Sequence, residues 1–354
     1  MAQRMTQRMT GAGMPTARKG RRPSGKDRIR PTGIDGGLVP AARFASLFAA
    51  LWAMGRGAFG PVAGAVLTFS GAPLAAREAP FPLAMRADPP ADPRYPAAMS
   101  AFVLPVADGA MNAVLYQAAG AGSHPTLLLL HGFPGNEQNL DLAQAARRAG
   151  WNVLTLHYRG SWGSPGVFSF AHAAQDAQSA LAFLRAPATV ARYRIDTGAL
   201  VVAGHSMGGF MAAEAAAADA RVAGLFLIDP WDPAETADSL SAPAGLKAWQ
   251  DEVAGDLPPL AGADYASLTG EIVHGRDRFD LGRALIGYGA RPLAIVSAER
   301  GFAAMGRKVA GDGQSANPAA QLSVWPTDHS FSDKRLALTA ALLAFLDRVA
   351  PPVR

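Results

Sequence analysis

The chain has 354 residues, and 49% of them are hydrophobic, which is enough for one large α/β domain with an insertion or for two modest domains. The formal net charge is +5, but residues 1–57 carry +9, so the rest of the chain is mildly acidic at −4. That distribution argues against a nucleic-acid-binding surface on the main body. Because the chain has no cysteine, disulfides, Cys-ligated zinc and thiol catalysis are excluded.

The N-terminal region divides into three segments. Residues 1–53 are basic, and we interpret them as a disordered leader or as an over-extension upstream of a true start at Met54. Residues 54–76 have a short positive start, an apolar core and small residues at the end, which is typical of a signal peptide. Residues 77–97 are rich in Pro and Ala and are predicted to be a linker without helix or strand.

This N-terminal pattern predicts export, so the protein would be periplasmic or secreted; without a signal peptide it would be cytoplasmic. We expect no stable membrane span in the mature chain. The apolar stretch 44–54 is too short to cross a bilayer, and Pro61 and Pro73 interrupt the one that follows.

The main body, residues 98–350, is predicted to be an α/β domain. Asp108-Gly109 lies between two apolar runs, which indicates a β-hairpin. Short apolar runs then alternate with helical stretches, and this alternation predicts a mostly parallel sheet with helices on both faces. The predicted strands are 126–130, 152–156, 200–203, 223–228, 292–297 and 322–325.

One connection is much longer than a crossover helix requires. About 60 residues separate the strand that ends near Ile228 from the strand that starts near Pro292. We interpret residues from about 230 to 290 as a helical lid. Acidic residues outnumber basic ones in this segment, which would disfavour anionic substrates, although a solvated acidic face explains the same composition.

The strongest chemical signal is Gly204-His205-Ser206-Met207-Gly208, which lies between a buried apolar run and an Ala-rich helical stretch. A sharp strand-to-helix turn lifts the serine hydroxyl above the sheet, and the start of the helix offers free N–H groups. This context predicts that Ser206 is a nucleophile.

A serine nucleophile needs a base, and His329 is the best candidate among the seven histidines. It follows the last predicted strand and therefore lies at the carboxyl edge of the sheet, where ligands bind. His205 points away from the serine by its position in the turn, and His124 precedes its strand at the opposite edge.

A second motif, His131-Gly132-Phe133-Pro134-Gly135, follows the strand 126–130. A tetrahedral intermediate needs two N–H donors for its oxyanion. The N–H of Met207 opens the helix after the serine, and the N–H of Phe133 is the natural second donor.

Together these motifs resemble those of the α/β-hydrolase superfamily of serine hydrolases over residues 98–350, in the expected chain order. Residues 158–163 (YRGSWG) also resemble a stretch of prolyl-oligopeptidase-like and acyl-peptidase-like members. The resemblance implies an α/β-hydrolase fold with a catalytic triad and no cofactor. No His, Asp and Glu group has metal-ligand spacing, so no metal is expected.

The acid of the triad departs from the superfamily pattern. It usually follows the strand that is here 292–297, in a pattern like G-x-x-D, but this chain reads Ser297-Ala298-Glu299-Arg300-Gly301. We predict Glu299 as the acid because it is the nearest carboxylate. Asp229 and Asp232, after the preceding strand, are the alternatives, whereas Asp328 is poorly placed to reach the ring of its neighbour His329.

The sequence therefore predicts an esterase-like serine hydrolase that cleaves an ester, thioester or amide through an acyl-enzyme, with a small molecule or a peptide as the acyl substrate. A peptidase of the prolyl-oligopeptidase type is one alternative, although the first hundred residues leave no room for a propeller domain. A non-catalytic hydrolase-like binding protein is the other, and loss of Ser206 or His329 would have favoured it.

Overall fold

The computed structural model describes residues 81–314, 317, 318 and 320–350. The predicted leader and signal peptide lie outside these residues. The part of the linker that is described contains one 3₁₀ turn, Leu83–Met85, where none was predicted. This turn is held against the domain because Arg148 Nε donates to Ala84 O at 2.5 Å.

Eight strands form one sheet with the order β1-β2-β4-β3-β5-β6-β7-β8. The first three pairs in that order are β1 with β2 and β2 with β4, both antiparallel, and β4 with β3, which is parallel. The remaining pairs are all parallel. The strands are β1 (Ala98–Val106), β2 (Gly109–Gln117), β3 (His124–Leu130), β4 (Asn152–His157), β5 (Ile195–His205), β6 (Gly224–Ile228), β7 (Leu293–Arg300) and β8 (Gln321–Asp328).

Helices cover both faces of the sheet, as predicted. They are α1 (Leu140–Arg148), α2 (Phe170–Arg185), α3 (Pro187–Tyr193), α4 (Met207–Ala218), α5 (Pro233–Ser239), α6 (Pro243–Asp256), α7 (Tyr265–His274), α8 (Leu281–Tyr288), α9 (Ala303–Gln314) and α10 (Arg335–Val349).

The sheet separates two hydrophobic cores because strand side chains alternate between its faces. In β3, Leu128 and Leu130 pack in the core with α2 and α4, whereas Leu127 and Leu129 pack in the core with α1 and α10. A strand buried on both faces reads as a continuous apolar run, which is why the parallel strands were visible in the sequence.

The long connection between β6 and β7 contains four helices, α5 to α8. Three of them begin at an aspartate whose carboxylate accepts the N–H of a first-turn residue: Asp232, Asp264 and Asp280. Part of the acidic excess of this segment is therefore explained by helix capping. The last helix, α8, packs against α4 beneath the serine turn, so it belongs to the helical layer of the sheet.

Candidate active site

Ser206 lies in a tight turn between β5 and α4. Its backbone has φ 55° and ψ −123°, a strained conformation for a residue other than glycine. Its N–H donates to Ile228 O at 2.9 Å, and its carbonyl accepts from Trp231 N at 3.1 Å. These bonds attach the serine turn to the chain that leaves β6, so the ends of β5 and β6 are held side by side.

The loop after β3 packs directly against this serine. A Cβ atom added to Gly132 would lie 2.9 Å from Ser206 Cβ and 3.5 Å from Ser206 Oγ, so only glycine allows this close approach. The loop and the serine turn follow β3 and β5, which are neighbours in the sheet. The two motifs found in the sequence therefore meet at one point.

His329 is paired with Asp229. His329 Nδ1 lies 2.6 Å from Asp229 Oδ2, and the Asp229 side chain is fully buried while 26% of the His329 side chain is exposed. Since a carboxylate accepts hydrogen bonds, Nδ1 carries a proton, and in the neutral form of the ring the lone pair lies on Nε2.

The preference for Glu299 as this partner is wrong. The strand predicted to end at Ser297 continues to Arg300, which pairs with Asp328 of β8, so Glu299 lies within β7 and its side chain is exposed. The alternative Asp232 is also occupied elsewhere, since its Oδ1 accepts from Ala234 N and Leu281 N. Asp328, as expected, does not contact the ring; its Oδ1 accepts from Ser332 N at 2.8 Å.

Backbone N–H groups near the end of β7 and just after it hold the Asp229 carboxylate in place. Ala298 N donates to Oδ1 at 2.9 Å, and Phe302 N donates to Oδ1 at 3.0 Å and to Oδ2 at 2.9 Å. A Cβ atom at Gly301 would overlap Asp229 Oδ2, so a glycine is required at this point of the loop. The segment at the end of β7, which was predicted to supply the acid of the triad, therefore supplies the backbone N–H donors that hold the Asp229 carboxylate.

His205 holds the backbone of His329, a contact that the sequence analysis missed. The His205 Nε2–H donates to His329 O at 2.9 Å, and the two rings lie 4.5 Å apart. Burial holds the pKa of His205 well below its usual value, and the nearby His329 lowers it further. His205 is therefore neutral, and it joins the serine turn to the histidine loop.

The loop that carries Phe133 is fixed from two sides. His131 Nδ1–H donates to Gly132 O at 2.7 Å, and Trp162 Nε1–H donates to Pro134 O at 2.9 Å. Burial lowers the pKa of His131 to about 4, so this ring is neutral at physiological pH. Met207 is the first residue of α4, and the N–H of a first helical residue has no partner within its helix.

Gly132 and the start of α4 therefore meet Ser206 at the carboxyl edge of the sheet, and His205, the residue before Ser206, is hydrogen-bonded to the backbone of His329. His124 lies elsewhere: it begins β3 at the opposite edge, where its Nδ1 contacts Gly150 O at 3.2 Å. Within residues 81–314 and 320–350, no three His, Asp or Glu side chains are placed to hold a metal ion.

Comparison with known proteins agrees with this geometry. Residues 125–287 match the family model of the α/β hydrolase fold. The described part of the chain therefore has the α/β-hydrolase fold. The prolyl-oligopeptidase-like branch remains a prediction. No curated protein matches the sequence.

Solved esterases have the same fold as this chain. An esterase of Pyrobaculum calidifontis is 17% identical, with 73% of this chain and 88% of that chain covered and a TM-score of 0.55. A carboxylesterase cloned from a metagenomic library is 21% identical, with coverages of 73% and 91% and a TM-score of 0.52. A carboxyl esterase of Bacillus coagulans is 16% identical, with coverages of 71% and 99% and a TM-score of 0.56.

The YRGSWG loop after β4 is a structural support of the site. Arg159 donates from its backbone N–H and from Nε to the two oxygens of Asp176, on α2, at 2.8 and 2.7 Å. Both side chains are buried. Burial raises the pKa of Asp176, while the Arg159 guanidinium lowers it. Loss of either partner would leave a buried charge, so the pair fixes the loop next to Phe133.

Aromatic side chains join the lid to the core beside the site. Trp231 and Trp249 stack with centroids 6.1 Å apart, and Phe170 lies 5.2 Å from Trp231. Phe133 completes the cluster at 5.7 Å from Phe170. The lid also pairs with the loop after β4, since Ala261 N donates to Gly160 O at 2.7 Å. No helix among residues 81–350 that the structure describes could span a membrane.

Proposed function

We propose that this protein is a serine hydrolase that cleaves carboxylic esters through an acyl-enzyme on Ser206. The observation that carries the proposal is the 2.6 Å contact between His329 and Asp229 beside a serine held in a strained turn. An exposed loop histidine without a buried carboxylate would be no better as a base than free imidazole.

In the proposed first step, Ser206 Oγ attacks the ester carbonyl while His329 Nε2 takes the hydroxyl proton. Asp229 keeps the Nδ1 proton on the imidazole and stabilises the imidazolium that forms. The N–H groups of Phe133 and Met207 donate to the oxyanion of the tetrahedral intermediate. His329 then gives its proton to the leaving alcohol, and water, activated by the same histidine, releases the acid from Ser206.

The preference for esters over amides and thioesters has two supports. Three solved structures with this fold carry the name esterase or carboxylesterase. The aromatic wall around Phe133 and Phe170 is apolar and suits an uncharged acyl group.

Labelling with a fluorophosphonate, followed by peptide mapping, tests the nucleophile. We expect the label on Ser206 and its loss in Ser206→Ala, whose kcat for p-nitrophenyl acetate should fall by about 10³-fold or more. Ser330→Ala is the matched control, because Ser330 is exposed in the same histidine loop and should remain fully reactive. Labelling that persists in Ser206→Ala would contradict the proposal, and faster turnover of the p-nitroanilide than of the ester would reverse the preference for esters.

A further inference from the structure

Trp162 has a backbone conformation that a bulky side chain rarely adopts. Its φ is 48°, in the left-handed region that favours glycine and asparagine. Strained residues of this kind persist only where the surroundings hold them, and they concentrate at functional sites. The strained backbone therefore raises the question of which function requires the Trp162 indole at this position.

Two hydrogen bonds hold Trp162 between the lid and the loop of Phe133. Its backbone N–H donates to Pro259 O at 2.9 Å, on the lid segment, and its Nε1–H donates to Pro134 O at 2.9 Å. The polar edge of the indole is thus satisfied by protein. Its remaining surface is a flat apolar face.

Trp162 is partly open to solvent, in contrast to several other tryptophans of the domain. Trp162 is 41% exposed, whereas Trp151, Trp231 and Trp249 are 1%, 6% and 6% exposed. Core packing therefore does not account for the strained backbone. A rigid exposed indole offers a large contact area and loses little conformational freedom when a ligand binds.

Trp162 lies in the loop after β4, at the same edge of the sheet as Ser206. It follows β4, which neighbours β3, and β3 neighbours β5 with the nucleophile. At about 4.8 Å per strand, the ends of β4 and β5 lie roughly 10 Å apart. A ring attached to an ester carbonyl at Ser206 spans this distance. The neighbouring ring of His157, with its centroid 6.0 Å from that of Trp162, has a pKa lowered by burial and adds no positive charge.

We propose that the exposed face of Trp162 binds a flat apolar group of the ester, such as an aromatic ring, and so determines substrate preference. This inference rests on the proposed ester hydrolysis at Ser206. If Trp162 only fastened the lid to the loop of Phe133, its replacement would slow all esters equally. If the exposed face of Trp162 binds substrate, its replacement is expected to lower kcat/KM only for esters that carry a flat ring.

The experiment compares three esters: methyl acetate, 2-naphthyl acetate with the ring on the alcohol, and methyl 2-naphthoate with the ring on the acyl group. In Trp162→Asn, which suits a positive φ, we expect kcat/KM for one naphthyl ester to fall roughly 5- to 10-fold more than for methyl acetate. Trp162→Phe, which keeps a flat ring but loses the N–H, should retain most of the preference. The naphthyl ester that loses more identifies the side of the ester that the indole binds.

Leu246→Ala is the matched control, because Leu246 is an exposed lid residue of similar exposure at 43% and should change no ratio. Trp162→His, which keeps an N–H donor and tolerates the same φ, replaces the Asn variant if that variant fails to fold. Equal losses for the three esters would overturn the inference while leaving the proposed function intact. A wild-type protein that hydrolyses none of them and takes no fluorophosphonate label would instead overturn the proposed function, and this inference with it.

Discussion

The chains that leave β6 and β7 start side by side at the same edge of the sheet, but they contribute opposite halves of one interaction. The end of β6 leads directly into Asp229, whose φ is 40° and whose carboxylate is fully buried. The end of β7 carries an exposed carboxylate, Glu299, while the N–H groups of Ala298 and Phe302 on either side of it donate to Asp229. The Asp229 carboxylate is therefore held in place by hydrogen bonds from the end of β7 as much as by the chain after β6 that carries it.

Replacing the carboxylate of Asp229 or of Glu299 by an amide is the strongest test of these different roles. We expect Asp229→Asn to lower kcat by about 10⁴-fold, because an amide in this position disfavours the required tautomer and does not stabilise the imidazolium. Glu299→Gln is the control and should stay within about twofold, as expected for an exposed side chain away from the reacting atoms. Steady-state kinetics with p-nitrophenyl acetate measures both. A larger loss of kcat in Glu299→Gln than in Asp229→Asn would instead identify Glu299, on β7, as the acid.

The donating loop is tested at Gly301. In Gly301→Ala the new methyl group would overlap Asp229 Oδ2, so the carboxylate or the loop must shift. A displacement of about 1 Å at an orienting group costs on the order of 10²-fold in kcat. Gly311→Ala, in α9, is the matched control because a Cβ there meets nothing within 4 Å. Equal activity of the two variants would show that the loop after β7 adapts without moving Asp229.

The loop after β7 makes a second, weaker contact with the site through Phe302. Its ring meets the ring of His329 edge to face, with centroids 4.8 Å apart. Such pairs contribute about 0.5–1.5 kcal/mol, so Phe302→Leu should lower kcat by roughly 2- to 10-fold with little change in KM. Phe183→Leu, which alters a ring in tilted contact with Phe102 of β1, is the comparison variant. A change in KM alone would assign Phe302 to substrate contact.

The fold could be predicted from the sequence because its signals are local. The inner parallel strands contain apolar runs bounded by turn residues, and the Asp108-Gly109 hairpin joins β1 to β2 as expected. Ser206 was readable for the same reason, since its strand, turn and helix are contiguous. Asp229 could not be preferred because the choice depends on where β7 ends. The pairing of Ala298 and Arg300 with β8 extends the strand beyond Ser297, so Glu299 lies in the strand and not in the loop. The contact of His205 with His329 joins residues 124 positions apart and has no local signal.

Glu271, on α7 of the lid, bonds the lid to a helix of the core. Its carboxylate accepts from Phe170 N at 2.8 Å and from Ala171 N at 2.7 Å, so it satisfies the first turn of α2, a helix of the core. The lid stretch 259–261 is likewise bonded to residues 160–168. The lid is therefore not a detachable module. A chimaera that received the lid of another hydrolase would also need residues 158–171 of that hydrolase. Otherwise the helix N–H donors and aromatic rings of the host would lose their partners.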